Sequence, residues 1–314
     1  MGRKAKPLEE QVNLLIRRGM RVDDPEKAYR ILLEIGWFRM SLYWFPFETR
    51  YPDMSDSTHR FREGATFHDA LMLYAFDFNL RNMLLKYLER IETAFRTYLI
   101  FHVSTRYPDS PAWFVDKRVV SPAQAKSFER VVYNPLRRQN PHIQLHHRRF
   151  PKDKFAPAWK TLEFMTLGTM CNLFESLNSA VLRQDVARHF GVRQEGIFTD
   201  YMEVVRALRN ICAHGNVLYS YRPHQLRRGP AFGGQQPPQN LYGALGIMEH
   251  FLGVISARLC EEFRNCLTAL IEEFAVTPGT RHVLGRISGF HREVRMHDVG
   301  APEGNARSRG SGKP

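Results

Sequence analysis

Apolar residues recur three and four positions apart along most of this chain, the spacing of helices that each bury one face. Leu8, Val12, Leu15, Ile16 and Met20 give the first stripe, which ends near Gly19. Asp23 or Asp24 can cap a second helix with Pro25 in its first position, where a missing N–H costs nothing, and Ala28, Ile31, Leu32 and Ile35 form its buried face. Gly36 interrupts it, and the aromatic segment from Trp37 to Phe47 reads as core at a helix junction rather than as a base-stacking surface around Arg39. Residues 51–64 are polar and rich in turn formers, so a loop is expected. The longest regular stretch runs from Phe67 to about Val103, with Leu73, Leu80, Leu84, Leu88, Ile91, Phe95 and Leu99 in helical register and neither Gly nor Pro inside. Asp77 with Arg81 and Glu92 with Arg96 stand four apart on it, as helix-stabilising ion pairs do.

Prolines at 108, 111, 122, 135, 141 and 151 break the period, which predicts an irregular insertion over about 105–155 with one short helix near Gln124–Val132. Helices are then expected over Trp159–Leu177 and Val181–Phe190, from Phe198 onward, and over Tyr242–Phe274, with a Pro/Gly/Gln-rich, mobile surface loop at about 223–241. The pattern as a whole predicts an all-α helical bundle forming one domain over 1–275, with a weakly structured segment from 276 and a tail disordered by composition.

Composition narrows the partner. Lys and Arg number 45 against 32 Asp and Glu, a formal charge of +13, which suits a polyanion such as RNA. Within the insertion Arg137, Arg138, His142, His146, His147, Arg148 and Arg149 crowd together as an RNA-gripping element rather than a metal site, the paired histidines lacking ligand spacing. Cys171, Cys212, Cys260 and Cys266 show no CxxC spacing and read as reduced thiols of a cytoplasmic protein. Without an apolar leader segment or a run of eighteen apolar residues, neither export nor membrane insertion is expected. No phosphate-loop, HExxH or dinucleotide fingerprint occurs, which argues against a nucleic-acid motor, and no metal or cofactor is expected.

Chemistry concentrates at Glu203–Arg222. Val204, Val205, Leu208, Ile211 and Cys212 form a buried stripe, Gly215 is a helix stop, and Arg209, Asn210 and His214 lie beside the stripe at the helix end. Asn210 and His214, four apart, share a face, whereas Arg209 and His214, five apart, lie roughly 140° round an ideal helix. They can meet on one substrate if the last turn unwinds, or if a second copy of the chain supplies the other half. Arg206 is a reserve cation. A histidine moves protons near neutral pH and a guanidinium holds a phosphate through two parallel hydrogen bonds, which suits phosphoryl transfer on RNA without a metal. The plain alternative is a histidine that caps the helix and an arginine in solvent.

Arg209 to His214 resembles the RNxxxH form of the RxxxxH motif of HEPN ribonucleases, and HGNVLYSYR after it is similar to the Abi (abortive infection) family. FRMSLYWFPF, YAFDFNLRNMLLKYLERIETAFRTYL and WKTLEFMTLGTMCNLFESL resemble further parts of that family. The resemblance implies a metal-independent endoribonuclease with a 2′-hydroxyl attacking the adjacent phosphate, His214 as acid and base, Arg209 steadying the transition state and Asn210 orienting them. It also implies a homodimer with a composite site, a role in phage defence or toxin-like growth arrest, and control by an antitoxin or a phage trigger. RNA-binding or supporting roles are expected for Arg206, Tyr219, Arg222, Arg148 and Arg149, and for Glu92, which can orient His214, and Arg96, which can add charge beside the phosphate. As structure, Glu89, Glu92 and Arg96 read as exposed charge pairs. The competing reading is a non-catalytic RNA-binding or protein-interaction module.

Overall fold

The computed structural model describes residues 7–290. Helices α1 (Leu8–Arg17), α2 (Pro25–Ile35) and α3 (Trp37–Trp44) lead into α4 (Phe67–Arg106), whose 40 residues make it the longest helix. At 1.5 Å per residue it runs about 60 Å. Asp24 caps α2 by accepting from the Lys27 N–H at 2.9 Å, and Thr66 caps α4 by accepting from that of Asp69 at 2.9 Å. Leu73, Leu80, Leu84, Leu88, Ile91, Phe95 and Leu99 are all inaccessible to solvent. Helices from both halves of the chain therefore cover α4, as an apolar stripe this long requires.

The region expected to be irregular is helical through its middle. α5 (Pro122–Ser127) continues through a π-helical turn at Phe128–Tyr133 into α6 (Asn134–Gln139), followed by α7 (Pro141–Arg149). Pro122 and Pro141 each take the first position of a helix, where the ring meets no preceding helical carbonyl, and so mark starts, whereas Pro135 lies inside the continuous run just after the π-helical turn. Only 107–121 and 150–157 stay largely irregular, the former holding a single 3-10 turn at Trp113–Val115.

The helix expected over Trp159–Leu177 is divided into α8 (Ala158–Thr161), a 3-10 turn, and α9 (Leu167–Glu175), because Thr166 is extended and caps α9. α10 (Ala180–His189) and α11 (Glu195–Ala213) follow the expected pattern. The stripe from Tyr242 to Phe274 is likewise two helices, α12 (Leu241–Ile255) and α13 (Ala257–Phe274), with extended Ser256 as the cap between them. Both pack on α4 and on each other.

Residues 276–290 are not weakly structured. Thr277 and Thr280 form a capping box for α14 (Pro278–Val283), and the Thr277 hydroxyl donates to Asp69 on α4. A π-helical turn at Leu284–Ser288 follows. The tail expected to be disordered lies outside the described residues. One apolar core runs from Val12 to Ile287, and among the described residues there is no β-strand, only isolated bridges.

Candidate active site at the end of helix α11

α11 lies antiparallel to α4: Phe198 meets Phe95 with ring centroids 5.9 Å apart, Arg209 meets Glu92, and Asn216 meets Arg81. Burying Phe95 and Phe198 in one aromatic cluster with Phe174 and Phe190 holds the two helices together at about 1.5–3 kcal/mol per ring. The C-terminal end of α11 is thereby fixed beside the middle of α4.

That end closes as a Schellman motif. The Asn216 N–H donates to the Ile211 carbonyl at 3.0 Å and the Gly215 N–H to that of Cys212 at 3.3 Å, with Gly215 at φ +64°. A Cβ on Gly215 would stand 3.3 Å from the Arg39 guanidinium, which donates to the Gly215 carbonyl. The last turn does not unwind, since the His214 N–H still donates to Asn210 at 3.0 Å. Of the two ways for Arg209 and His214 to face one substrate, a rearranged last turn is therefore absent.

His214 is the C-cap and is exposed, as is Asn210; neither side chain makes a hydrogen bond or ion pair among the described residues. Arg209 is 35% exposed and its Nε lies 3.7 Å from Glu92 Oε2, close enough to be restrained and too far for a hydrogen bond. Arg206 pairs with Glu203 at 2.5 Å. Burial pushes the Cys212 thiol up to about 12, which removes it as a nucleophile beside His214.

Several supporting residues stand elsewhere than expected. Glu92 does not meet His214; it splits its oxygens between Arg209 and Arg96, the latter at 2.6 Å. Neither partner of the Glu92–Arg96 pair is an exposed charge, for their side chains are 13% and 11% accessible. Arg96 also donates to the Met165 carbonyl at 2.9 Å, so it ties α4 to the turn before α9 instead of standing free for a phosphate. Tyr219 is buried and its hydroxyl donates to the Leu42 carbonyl at 2.9 Å, so it braces the loop and cannot touch RNA. Burial raises its phenol well above the ordinary value.

Arg148 and Arg149 are exposed on α7 with no bond to α11, and His146 and His147 are bound to Asp153 and Tyr133 at 3.1 and 2.8 Å. Arg222 is exposed and lines a different cleft. Arg227 turns back to Asp200 and the Gly196 carbonyl. That contact lies about 21 Å along α11 from His214. The 223–241 loop is pinned by Gln239, which exchanges hydrogen bonds with Leu226 at 2.8 and 3.0 Å.

The feature that spacing alone concealed is the anchor of the segment after His214. Asp77, fully buried, accepts from the Leu218 N–H at 3.0 Å, the Tyr219 N–H at 2.6 Å and the Tyr43 hydroxyl at 2.8 Å, and pairs with Arg81. Arg81 donates further to the Asn216 carbonyl at 3.2 Å. Burial pushes the Asp77 carboxyl up, and the charge of Arg81 with the three donors opposes it. What spacing shows only as a helix-stabilising pair four residues apart is also the buried clamp that sets the loop leaving the candidate site.

Fold and site together define an all-α protein that presents an arginine and a histidine at the capped end of a core helix. A family model described as Abi-like protein matches residues 30–220, well over half of the chain, and the chain belongs to that family. The matched region holds α3, α4, α11 and the clamp. No curated protein and no solved structure matches it. No described helix is long and apolar enough to cross a membrane.

Proposed function

We propose that the chain is a metal-independent endoribonuclease of the HEPN type acting in abortive infection, the setting that membership of the Abi-like family suggests. The observation that carries this reading is an exposed, unpaired His214 fixed at a rigid helix end next to Arg209. His146 and His147, by contrast, spend their rings on Asp153 and Tyr133.

In the proposed reaction His214 takes the proton of a ribose 2′-hydroxyl, whose oxygen forms a bond to the adjacent phosphorus. The bond from phosphorus to the 5′-oxygen breaks, and that oxygen takes up a proton. Products are a 2′,3′-cyclic phosphate and a 5′-hydroxyl, and no water is consumed. A helix C-terminus carries about half a negative charge, which repels phosphate, so the site needs compensating cations. Arg209, only loosely held by Glu92, supplies one, Arg39 covers the Gly215 carbonyl, and Arg206, eight residues back, is already neutralised by Glu203. Arg209 steadies the negative charge of the pentavalent state, and Asn210, on the face of His214, orients it.

Because α11 stays helical through Ala213, the remaining way to set Arg209 and His214 on one phosphate is a second copy across a two-fold axis. Phe38, 78% exposed and adjacent to the Arg39 that touches Gly215, is an apolar residue such an interface would cover.

Total cellular RNA incubated in EDTA with wild type, Arg209→Ala and His214→Ala tests the reading. Wild type should cut and each variant should cut at least about 100-fold more slowly. If wild type binds RNA but never cuts it, with or without magnesium and with extract of phage-infected cells, the chain is an RNA-binding module instead.

A further inference from the structure

A second cationic feature lies apart from the His214 ring. Arg62 from the loop before α4, Arg222 from the segment after α11, His282 on α14 and Arg286 in the turn beyond it converge on one cleft of about 490 Å³. Tyr51, Ile287 and two prolines make its apolar walls. No carboxylate lines it, and none pairs with these four basic side chains among the described residues. The nearest thing to an internal partner is the Tyr51 carbonyl, at 3.5 Å from the Arg62 guanidinium.

The cleft is built, not incidental. The Ser288 hydroxyl donates to the Tyr219 carbonyl at 2.7 Å, docking the turn that carries Arg286 onto the segment that carries Arg222. Asp69 holds the start of α14. Tyr51 is half-buried between the groups: burial raises its hydroxyl, and Arg222 and Arg62 both pull it down, so both guanidinium groups lie within electrostatic reach of the ring. Three like charges gathered from distant parts of the sequence repel one another. Some arginines elsewhere are closely paired, as Arg118 with Asp116 or Arg264 with Glu249, and others, such as Arg148 and Arg149, stand apart in solvent rather than around a cleft. Leaving three unpaired around a concavity makes sense when an anion completes the set.

We propose that this cleft binds a nucleoside di- or triphosphate, its phosphates held by Arg62, Arg222 and Arg286 and its base resting on the Tyr51 and proline wall. The volume falls in the range of small-molecule pockets, about 300–1,000 Å³. A ring face beside guanidinium groups offers stacking that bare phosphate cannot use. The proposal stands independently of the ribonuclease reading, since neither Arg209 nor His214 takes part.

Calorimetric titration of the full chain with ATP, GTP and tripolyphosphate in about 150 mM salt tests it. We expect saturable binding at one site per chain, with at least one nucleotide tighter than tripolyphosphate. Arg286→Gln and Arg62→Gln should each weaken it tenfold or more while melting temperatures stay at the wild-type value, and His214→Ala should bind as wild type does. The proposal is overturned if neither nucleotide binds saturably, if both arginine variants bind as wild type does, or if only oligoribonucleotides compete for these arginines, which would make the cleft part of an RNA track.

Discussion

Replacing Asp77 by alanine separates a surface ion pair from a buried clamp, because the two differ by an order of magnitude. An exposed pair four apart on a helix contributes about 0.3–0.5 kcal/mol. Asp77 is inaccessible and Arg81 only 5% exposed at its side chain, so truncation strands a buried guanidinium and removes the acceptor of two backbone N–H groups. Breaking a buried pair in this way costs about 3–5 kcal/mol. Arg81 keeps the Tyr43 hydroxyl and the Asn216 carbonyl, which points to the lower end of that range. At about 2–4 °C per kcal/mol for a chain somewhat smaller than this, melting should fall by about 6–12 °C. Asp23→Ala, which breaks the exposed pair with Arg21 at 3.2 Å, is the control and should change stability by less than about 1 kcal/mol. Thermal melts followed by circular dichroism give the comparison, and RNA cleavage well below the melting point gives a second readout. A shift under 2 °C for Asp77→Ala would refute the clamp. A full shift with wild-type cleavage would show that the clamp stabilises the fold without positioning the site.

Gly215→Ala places a side chain at φ +64° and against Arg39, and should cost about 1–2 kcal/mol in a denaturant titration. His214→Ala removes an exposed side chain without bonds, so its melting should match wild type within about 0.5 kcal/mol while cleavage is lost. Glu92→Gln weakens the restraint on Arg209 and should slow cleavage while leaving RNA retention on a filter unchanged or stronger, because a negative charge goes. Burial lowers the folded pKa of His147, His189 and His250 below the unfolded value, so the unfolded chain binds more protons between the two. Their contribution is therefore present above about pH 6.5 and lost as pH falls through the folded values. Melting temperature should drop from pH 7 to pH 5, and His250→Gln should flatten part of that drop.

Helical periodicity made most of the bundle legible, because a stripe such as Leu73 to Leu99 has one way to be buried. It misled where a break depends on one polar residue. Thr166 and Ser256 carry apolar residues on both sides, so the stripe runs through them, and only their capping of α9 and α13 reveals the ends. Pro122 and Pro141 were legible as breakers but not as starters, a difference fixed by the preceding Ser121 and Asn140 caps. Thr277-Pro278-x-Thr280 is a capping signal that does mark α14 in the sequence. At the site, Arg209, Asn210, His214 and the Gly215 stop were readable from local spacing. The clamp was not, because what separates Asp77 from a surface aspartate is the two backbone N–H groups 141 and 142 residues later.

In the proposed reaction the 2′-hydroxyl is the nucleophile and His214 moves its proton. The most direct measurement uses an RNA oligomer cut at one mapped position, with a matched oligomer carrying a single 2′-deoxy substitution there, and product ends identified by mass spectrometry in EDTA. That reaction should give a 2′,3′-cyclic phosphate and a 5′-hydroxyl from the all-ribose oligomer, with no cleavage of the deoxy oligomer by wild type and none of either oligomer by His214→Ala. Cleavage at the deoxy position, or products ending in a 5′-phosphate, would contradict it.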